Sequence, residues 1–436
     1  MNRTMSSSSF VPLAIDYPAF HELFDEVAAI GRTEKGGLYR LAASVEEGLA
    51  RDHVCGWLKA RGFDICIDPV GNIFALLSLA GPHAPWVLSG SHLDSQPRGG
   101  RYDGAYGVLG ACIVADAIRT ASPAQSTHNL AVVIWTNEEG ARFSPSMLGS
   151  GVYAGHYDSA YALSREDAQG VSLQAALSAI GYHGTGAGPA NPRACVELHI
   201  EQGPELEKTG SRIGVVEGNW GTMKYIATMH GMAAHTGPTP MQERRDALLG
   251  AAHLVVACRL LSDETSGELL TSVGRLDIEP NSSNVVAEQV KVFAEMRATD
   301  NGMLEQSCAA FELAAAESAT RAKVRLELQK VTNRPAGLFD SGLCELVEQA
   351  AERHRLSSQR LFTVAGHDAV SLRSLCRTAM IFVPSVKGIS HNEAEFTEAS
   401  DLEAGLDVLA EVLLQLVCAS TSTQDCNDSS ESQRQA

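Results

Sequence analysis

Hydrophobic positions along this chain follow two different patterns, and the change between them marks two kinds of segment. Short, nearly unbroken apolar runs read as strands at Pro85–Ser91 (PWVLSGS), Asn129–Thr136 (NLAVVIWT), Ala194–Ile200 (ACVELHI) and Ala379–Pro384 (AMIFVP). Runs this short, without polar alternation, suit strands covered on both faces. Tyr106–Ile118 has helical spacing at Val108, Leu109, Cys112, Ile113 and Ala117. A final helix is expected over Asp401–Cys418, with Ser400 and Glu403 at capping-box spacing. Strands alternating with helical patterns indicate an α/β domain.

The stretch 221–333 reads differently. Strands are expected at Met223–His230, Leu269–Ile278, Val285–Arg297 and Val324–Val331, and helices at Glu243–Leu261 and Met303–Ala319. This βαββαβ order predicts a ferredoxin-like α+β unit. The α/β pattern resumes after it. The chain is therefore expected to hold a discontinuous larger domain, 1–220 and 334–418, interrupted by a smaller one, 221–333. The polar, Ser-rich tail 419–436 is expected to be disordered.

Composition narrows the function. A chain of 436 residues exceeds what one core usually serves, which agrees with two domains. The net charge of −18 argues against nucleic acid and anionic membranes as partners, since both need a basic face. No apolar run is long enough for a membrane span, and the N-terminus lacks the pattern of a signal peptide. The ten cysteines are scattered without a CxxC pair. They read as buried thiols in a reducing compartment, the cytoplasm.

Polar chemistry gathers just after the expected strands, where open α/β sheets place their sites. In GSHLDSQPRGGRYDG, His92 and Asp103 offer an imidazole and a carboxylate suited to a divalent metal. Asp94, two residues on, could accept the other ring N–H of His92. In TNEEGARF, Glu138 and Glu139 end a strand; on an extended chain they point apart, so one can bind metal while the other serves as general base. In ELHIEQGP, His199 and Glu201 fall on one face of an extended segment. In SVKGISHNEAEF, Ser390, His391 and Glu393 are compact and polar. Each cluster alone has a bland explanation: a Gly-rich loop, a solvated strand end, a structural histidine, a turn. Together, two carboxylates (Asp103, Glu139) and three histidines (His92, His199, His391) fit two metals with one carboxylate bridging.

These motifs, with GMAAHTGPTPM, NSSNVV and AGHDAV in order, resemble the M20 metallopeptidase-like family from about Ala29 to Cys418. Within it, the chain is most similar to the branch of N-carbamoyl-L-amino-acid hydrolases, allantoate amidohydrolases and β-ureidopropionases. The resemblance implies a zinc-peptidase-like catalytic domain, with a mixed sheet flanked by helices, and an inserted dimerisation (lid) domain. It implies two divalent ions, Zn2+ or Mn2+ with Co2+ or Ni2+ as alternatives. His92 and His199 would hold one, Glu139 and His391 the other, and Asp103 would bridge. It makes Glu138 the general base. It makes His235 a residue that reaches across a homodimer to polarise the scissile carbonyl. Asn284 and Arg297 become contacts to the substrate carboxylate, which a guanidinium suits bidentately. Gln202 becomes a contact to the ureido end, and His367 and Asp368 supporting residues. One departure stands out: the branch carries an Arg-rich stretch where this chain reads NWGTMKY. There Lys224 keeps the charge without the fork geometry, and Trp220 adds bulk. The expected reaction is hydrolysis of an N-carbamoyl-L-amino acid to amino acid, carbon dioxide and ammonia, on a substrate with an apolar or aromatic side chain. Allantoate amidohydrolase and β-ureidopropionase are the nearest alternatives. An M20 aminoacylase or dipeptidase comes next, and a metal-free binding protein of the same fold last.

Overall fold

The computed structural model describes residues 12–418; the N-terminal stretch and the tail expected to be disordered lie outside them. The chain divides into two compact units. Among the described residues, one holds 12–215, Gly342–Gln359 and His367–Cys418; the other holds Val216–Ser341 and Arg360–Gly366.

The strands, in chain order, begin with β1 (Asp64–Ile67), β2 (Ile73–Leu77), β3 (Trp86–His92), β4 (Asn129–Trp135), β5 (Pro192–Ile200) and β6 (Ile213–Asn219). Next come β7 (Gly221–His230), β8 (Ala234–His235), β9 (Leu269–Glu279), β10 (Val285–Val286), β11 (Gln289–Ala298) and β12 (Arg325–Arg334). The last are β13 (Gly337–Leu338), β14 (Ser358–Thr363) and β15 (Arg377–Val383).

In the first unit the sheet runs β1-β2-β4-β3-β5-β15. The neighbours β4, β3, β5 and β15 pair in parallel, whereas β1, β2 and β4 pair antiparallel, so the sheet is mixed. Every residue of β4 is buried, as its unbroken apolar run requires. Each fully buried Val, Leu or Ile in such strands contributes about 1.5–3 kcal/mol. The helices Ala105–Ala121 and Ala399–Cys418 flank the sheet and are buried along most of their length. Their close approach depends on small residues. A Cβ at Gly107 would lie 2.3 Å from the Leu198 carbonyl oxygen, so only glycine lets this helix rest on β5.

In the second unit an antiparallel sheet runs β12-β7-β11-β9. The helices Ala247–Asp263 and Asn301–Ala322 share an apolar core with one face of it, through Met223, Tyr225, Ala227 and Met229 of β7 and Val290, Val292, Ala294 and Met296 of β11. Burial alternates along β11, as one covered face dictates.

Several expected boundaries move, each for a local reason. The strand expected over Val285–Arg297 is two: β10 pairs with β8, and β11 then starts afresh at Gln289. Between them the carbonyls of Ala287 and Glu288 turn away to accept from Ala247 and Gly231. The helix expected from Glu243 starts at Ala247, because Asp246 Oδ1 accepts from the Leu248 and Leu249 amides. The last helix starts at Ala399, so Ser400 lies inside its first turn and the expected capping box does not form; the first turn instead closes on the Glu398 carbonyl. Every described cysteine is a free thiol. No described helix is long and apolar enough to cross a membrane.

Two glycine substitutions separate packing from propensity. Gly56 lies in the helix Val45–Lys59 with nothing within 4 Å of a built Cβ. Gly56→Ala is expected to raise stability by up to about 1 kcal/mol. Gly107→Ala must push the helix off β5 and is expected to lower stability by about 1–3 kcal/mol. Chemical denaturation at fixed metal content checks both; equal effects of the same sign would contradict this account.

Candidate metal centre

The parallel strands deliver their carboxyl ends to one place. His92 is the last residue of β3 and is 1% exposed. After β4 the chain turns at Asn137 (φ +55°), whose side-chain amide donates to the Phe143 and Pro145 carbonyls. Glu138 and Glu139 therefore lie in a pinned turn beyond the strand, not on its extended end as expected. Asp103 precedes the helix Ala105–Ala121, separated from it by Gly104 (φ +66°). A Cβ at Gly104 would fall 2.4–2.5 Å from the His92 ring, so glycine is obligatory there.

Both buried imidazoles have a fixed tautomer. The His92 Nδ1–H donates to the Asp94 carbonyl at 2.9 Å, and the His199 Nδ1–H to the Ile200 carbonyl at 2.9 Å. A carbonyl cannot donate, so each neutral ring turns an Nε2 lone pair inward. Those lone pairs face Asp103 Oδ1, at 3.5 Å from His92 and 3.2 Å from His199, where the Gly104 amide also donates to His199 Nε2 at 3.1 Å. The other oxygen, Oδ2, lies 3.4 Å from His391 Nε2, which is 3.5 Å from Glu139 Oε2. Lone pairs and a carboxylate facing one another across such gaps repel unless a proton or a cation lies between. A tetrahedral ion with bonds of about 2.1 Å needs ligand atoms about 3.4 Å apart. Two sets, His92/Asp103/His199 and Asp103/Glu139/His391, have ligand atoms close enough to hold an ion and share Asp103. A third, Glu197/His199/His367, draws on His199 again.

Electrostatics carry the same signature. Burial opposes charge on His92, yet the Asp103 hydrogen bond and the Glu138 and Asp94 charges hold it well above the ordinary imidazole value. Burial likewise opposes ionisation of Asp103, but His199, His391 and His92 outweigh it and hold Asp103 well below the carboxylate range. Glu138, which lies 3.6 Å from His92 Nε2 through its Oε2, is pushed well up by burial. Glu139 is pushed up to about 7 by burial and by the Asp103 charge.

The supporting residues partly differ from expectation. The acceptor that fixes His92 is the backbone carbonyl of Asp94, not its side chain. The Asp94 carboxylate, 3.6 Å from His92 Nδ1, instead accepts from the backbone amides of Glu138 and Glu139, both at 3.2 Å. Glu201 does not join His199: its carboxylate accepts from the Glu205 and Leu206 amides and caps the turn after it. Gln202 (φ +57°) donates to Asp103 Oδ2 at 2.8 Å and to Ser390 Oγ at 3.2 Å. His367 is 2% exposed, its ring 4.5 Å from that of His199, and the fully buried Asp368 follows it. Burial and the Glu197 charge hold the Asp368 carboxyl well above the usual range.

The remaining expected residues belong to the second unit. His235 on β8 is exposed, and its Nδ1 accepts from the Gly237 amide, which leaves Nε2–H free to donate. Asn284 is exposed and precedes β10; its carbonyl accepts from Thr236. Lys224 and Arg297 both pair with Glu295.

Three residues at these places escaped the sequence reading: Gln96, Glu295 and Glu395. Gln96 Nε2 donates to Glu139 Oε2 at 2.8 Å. Glu395 Oε1 accepts from the Tyr102 and Asp103 amides, and its Oε2 accepts from Ser390 Oγ at 2.8 Å. One buried carboxylate thus ties the Asp103 loop to the His391 loop. The available signal was Gly100: a Cβ there would meet Glu395 at 2.0 Å, so the glycine exists to admit that side chain.

Glu395→Gln keeps the size but replaces one acceptor oxygen with a donor. It is expected to weaken divalent-metal affinity by about 10–100-fold while leaving the circular dichroism of the metal-free protein unchanged. Competition with a chelating dye measures it; affinity within twofold of wild type would refute the role. A pH effect follows as well. His391 is pushed up to about 9, because the Asp103 hydrogen bond and the Glu139 charge outweigh burial. A raised imidazole stabilises the fold below its ordinary value and loses that contribution as pH rises through about 9. The raised Glu139 carboxyl acts in the same direction as pH rises through about 7. Metal-free protein is therefore expected to melt at progressively lower temperature between about pH 5 and 9, and saturating metal to cancel the trend. A metal-free melting temperature that rises across this window would contradict it.

Comparison with known proteins places the geometry. The model of peptidase family M20/M25/M40 matches residues 88–415. A Mycolicibacterium smegmatis protein described only as a hydrolase is 44% identical over 91% of this chain and 92% of its own length. The N-carbamoyl-L-amino-acid amidohydrolase of Rhizobium meliloti is 36% identical over 89% of this chain and 94% of its own. The allantoate amidohydrolase of Bacillus subtilis is 32% identical over 89% and 95%. Among solved structures, a hydantoinase/carbamoylase family amidase from Burkholderia vietnamiensis superposes with a TM-score of 0.90 at 39% identity, covering 95% of this chain and 99% of that one. The chain belongs to peptidase family M20/M25/M40, as an amidohydrolase acting on C–N bonds other than peptide bonds.

Proposed function

We propose that this protein hydrolyses the ureido amide of an N-carbamoyl-L-amino acid, giving the amino acid and carbamate, which falls apart to carbon dioxide and ammonia. The observation that carries the reading is the two-sided Asp103 carboxylate, with imidazole nitrogens facing both of its oxygens beside Glu138. The donors fit two divalent ions, zinc or manganese with cobalt or nickel as alternatives. His92 and His199 would hold one, Glu139 and His391 the other, and Asp103 both. When bound, such ions polarise the carbonyl and supply a nucleophile at neutral pH.

The chain's own residues do the rest. Glu138 takes a proton from the attacking water and returns it to the leaving nitrogen, so that the C–N bond breaks towards a neutral amine. Its raised proton affinity suits both halves of that transfer. Asp94 fixes the turn that aims it, through the two amides it accepts from. His235 donates Nε2–H to the developing oxyanion. Arg297, Asn284 and Lys224 bind the substrate carboxylate, Gln202 contacts the ureido end, and His367 and Asp368 support the metal ligands.

The first unit is the catalytic domain and the second the lid and dimerisation domain of a homodimer in which His235 serves the partner. Support for dimerisation lies in the second unit. Leu249, Val256 and Leu260 are 44%, 60% and 53% exposed along one face of the helix Ala247–Asp263, and β9 ends its sheet. Free thiols suit a reducing, cytoplasmic setting. Allantoate is the second reading, favoured by the relative that carries that name.

Ammonia release by metal-reconstituted protein tests the proposal on N-carbamoyl-L-amino acids, allantoate, N-carbamoyl-β-alanine and, followed by free amine, N-acetyl amino acids. Turnover is expected for the first group. Turnover of N-acetyl compounds alone would move the protein to the aminoacylases. Glu138→Gln is expected to keep its metal and lose at least about a hundredfold in kcat; wild-type turnover in that variant would sink the base assignment.

A further inference from the structure

Three charges share the face of the second unit's sheet that points away from its helices. Lys224 on β7 is the cross-strand partner of Glu295 on β11, and Arg297 lies two residues beyond Glu295 on the same face. Lys224 Nζ lies 3.3 Å from Glu295 Oε2, while Arg297 Nε donates to Glu295 Oε1. Arg297 Nη1 also donates to the Val364 carbonyl. One carboxylate therefore serves two cations.

The residues paired directly beside the triad add no charge. The cross-strand partners beside these residues are Thr222, Thr332, Ser272 and Leu270, all neutral. Arg334 stands beyond Thr222 in the same row and has an interaction of its own. Lys224, Glu295 and Arg297 are 35%, 21% and 26% exposed at the side chain, so a ligand can reach them while screening stays incomplete. Glu295 stays ionised despite burial, because Arg297 and Lys224 hold its carboxyl below the usual range. Two cations and one carboxylate give one net positive charge.

We propose that Glu295 is a specificity-determining residue that restricts the enzyme to ureido acids bearing a single carboxylate and an uncharged side chain. The proposal rests on the reading of Lys224 and Arg297 as carboxylate contacts. A monocarboxylate matches the one net charge. A dicarboxylate brings a second negative charge against Glu295, and nothing else in the triad offsets it. Arg297 remains suited to a planar carboxylate, with two of its five N–H donors engaged by Glu295 and Val364. Lys224 supplies a second cation without a fork, so it balances Glu295 and leaves the geometric recognition to Arg297.

The experiment measures dissociation constants of N-carbamoyl-L-methionine and N-carbamoyl-L-aspartate on metal-loaded protein carrying Glu138→Gln. The same pair is then measured with Glu295→Gln added, and with Glu295→Gln and Lys224→Met added together. The first protein is expected to prefer the monocarboxylate. Glu295→Gln is expected to shift the ratio towards the dicarboxylate by about tenfold, and by less in about 0.5 M salt. Adding Lys224→Met is expected to restore the original preference, because it restores the charge sum. A ratio that stays within twofold, equal losses for both ligands, or no binding of the monocarboxylate would overturn the proposal. Ammonia release by the wild-type enzyme, measured alongside, separates the two readings. Tight monocarboxylate binding without ammonia would sink the hydrolysis and leave the charge balance standing, whereas ammonia with an unmoved ratio would do the reverse.

Discussion

The Asp103 carboxylate is taken out of water at the point where three imidazoles converge, and the shape of the centre follows from that placement. An isolated buried carboxylate is costly unless each oxygen meets positive charge or a donor. Its neighbours make the problem worse. Asp94, Glu138, Glu197 and Asp368 are buried as well, and the Glu139 side chain is 5% exposed. The buried cations among the described residues, Arg40 and Arg51, do not balance them by number. Arg40 gives its Nε–H to the carbonyl of Leu93, between His92 and Asp94, and so steadies the loop without neutralising its centre. Positive charge placed among these carboxylates, whether protons on the imidazoles or a bound cation, relieves that repulsion.

This constraint explains what was legible in the sequence. Strand ends are easy to read from apolar runs, and sites in an open α/β sheet lie beyond them, so His92, Asp103, Glu139, His199 and His391 could be picked out in one dimension as candidates. The structure brings their ligand atoms within reach of one another in two overlapping sets. The supporting contacts were misread because they run through the backbone. Asp94 was expected to act by its carboxylate on His92, but the peptide carbonyl does that, and the carboxylate holds the Glu138 and Glu139 amides. Glu201 was placed on one face with His199 by period, yet the chain leaves the strand at that point and the side chain caps a turn. Residue pattern reports which side chains face together only while the backbone stays regular.

Glu395 is the opposite case. Nothing in its local pattern marks it, because its partners are the Tyr102 and Asp103 amides and the Ser390 hydroxyl, two of them nearly three hundred positions away. Contacts at such separation leave a trace in sequence only where they force a residue type, as at Gly100. The second unit shows the same limit. The order of its strands and helices was readable from period, but the break between β10 and β11 was not. It arises from two carbonyls engaged outside the sheet ladder.

The two units also carry opposite local charge within a chain whose net charge is −18. The candidate metal centre holds more carboxylates than arginines and lysines, a balance that suits a cation. The Lys224–Glu295–Arg297 group holds more cations than carboxylates, so it attracts an anion. Screening at physiological salt reduces the reach of exposed charge to about 8 Å, so a distant acidic surface does little to repel an anionic substrate. What the ligand feels at contact is the local sum. Charge placement of this kind keeps the two groups independent, so that a single substitution in one leaves the charge of the other unchanged. Lys224 shows the point locally: it pairs with Glu295 as a point charge without a fork, on an element that carries none of the donors around Asp103.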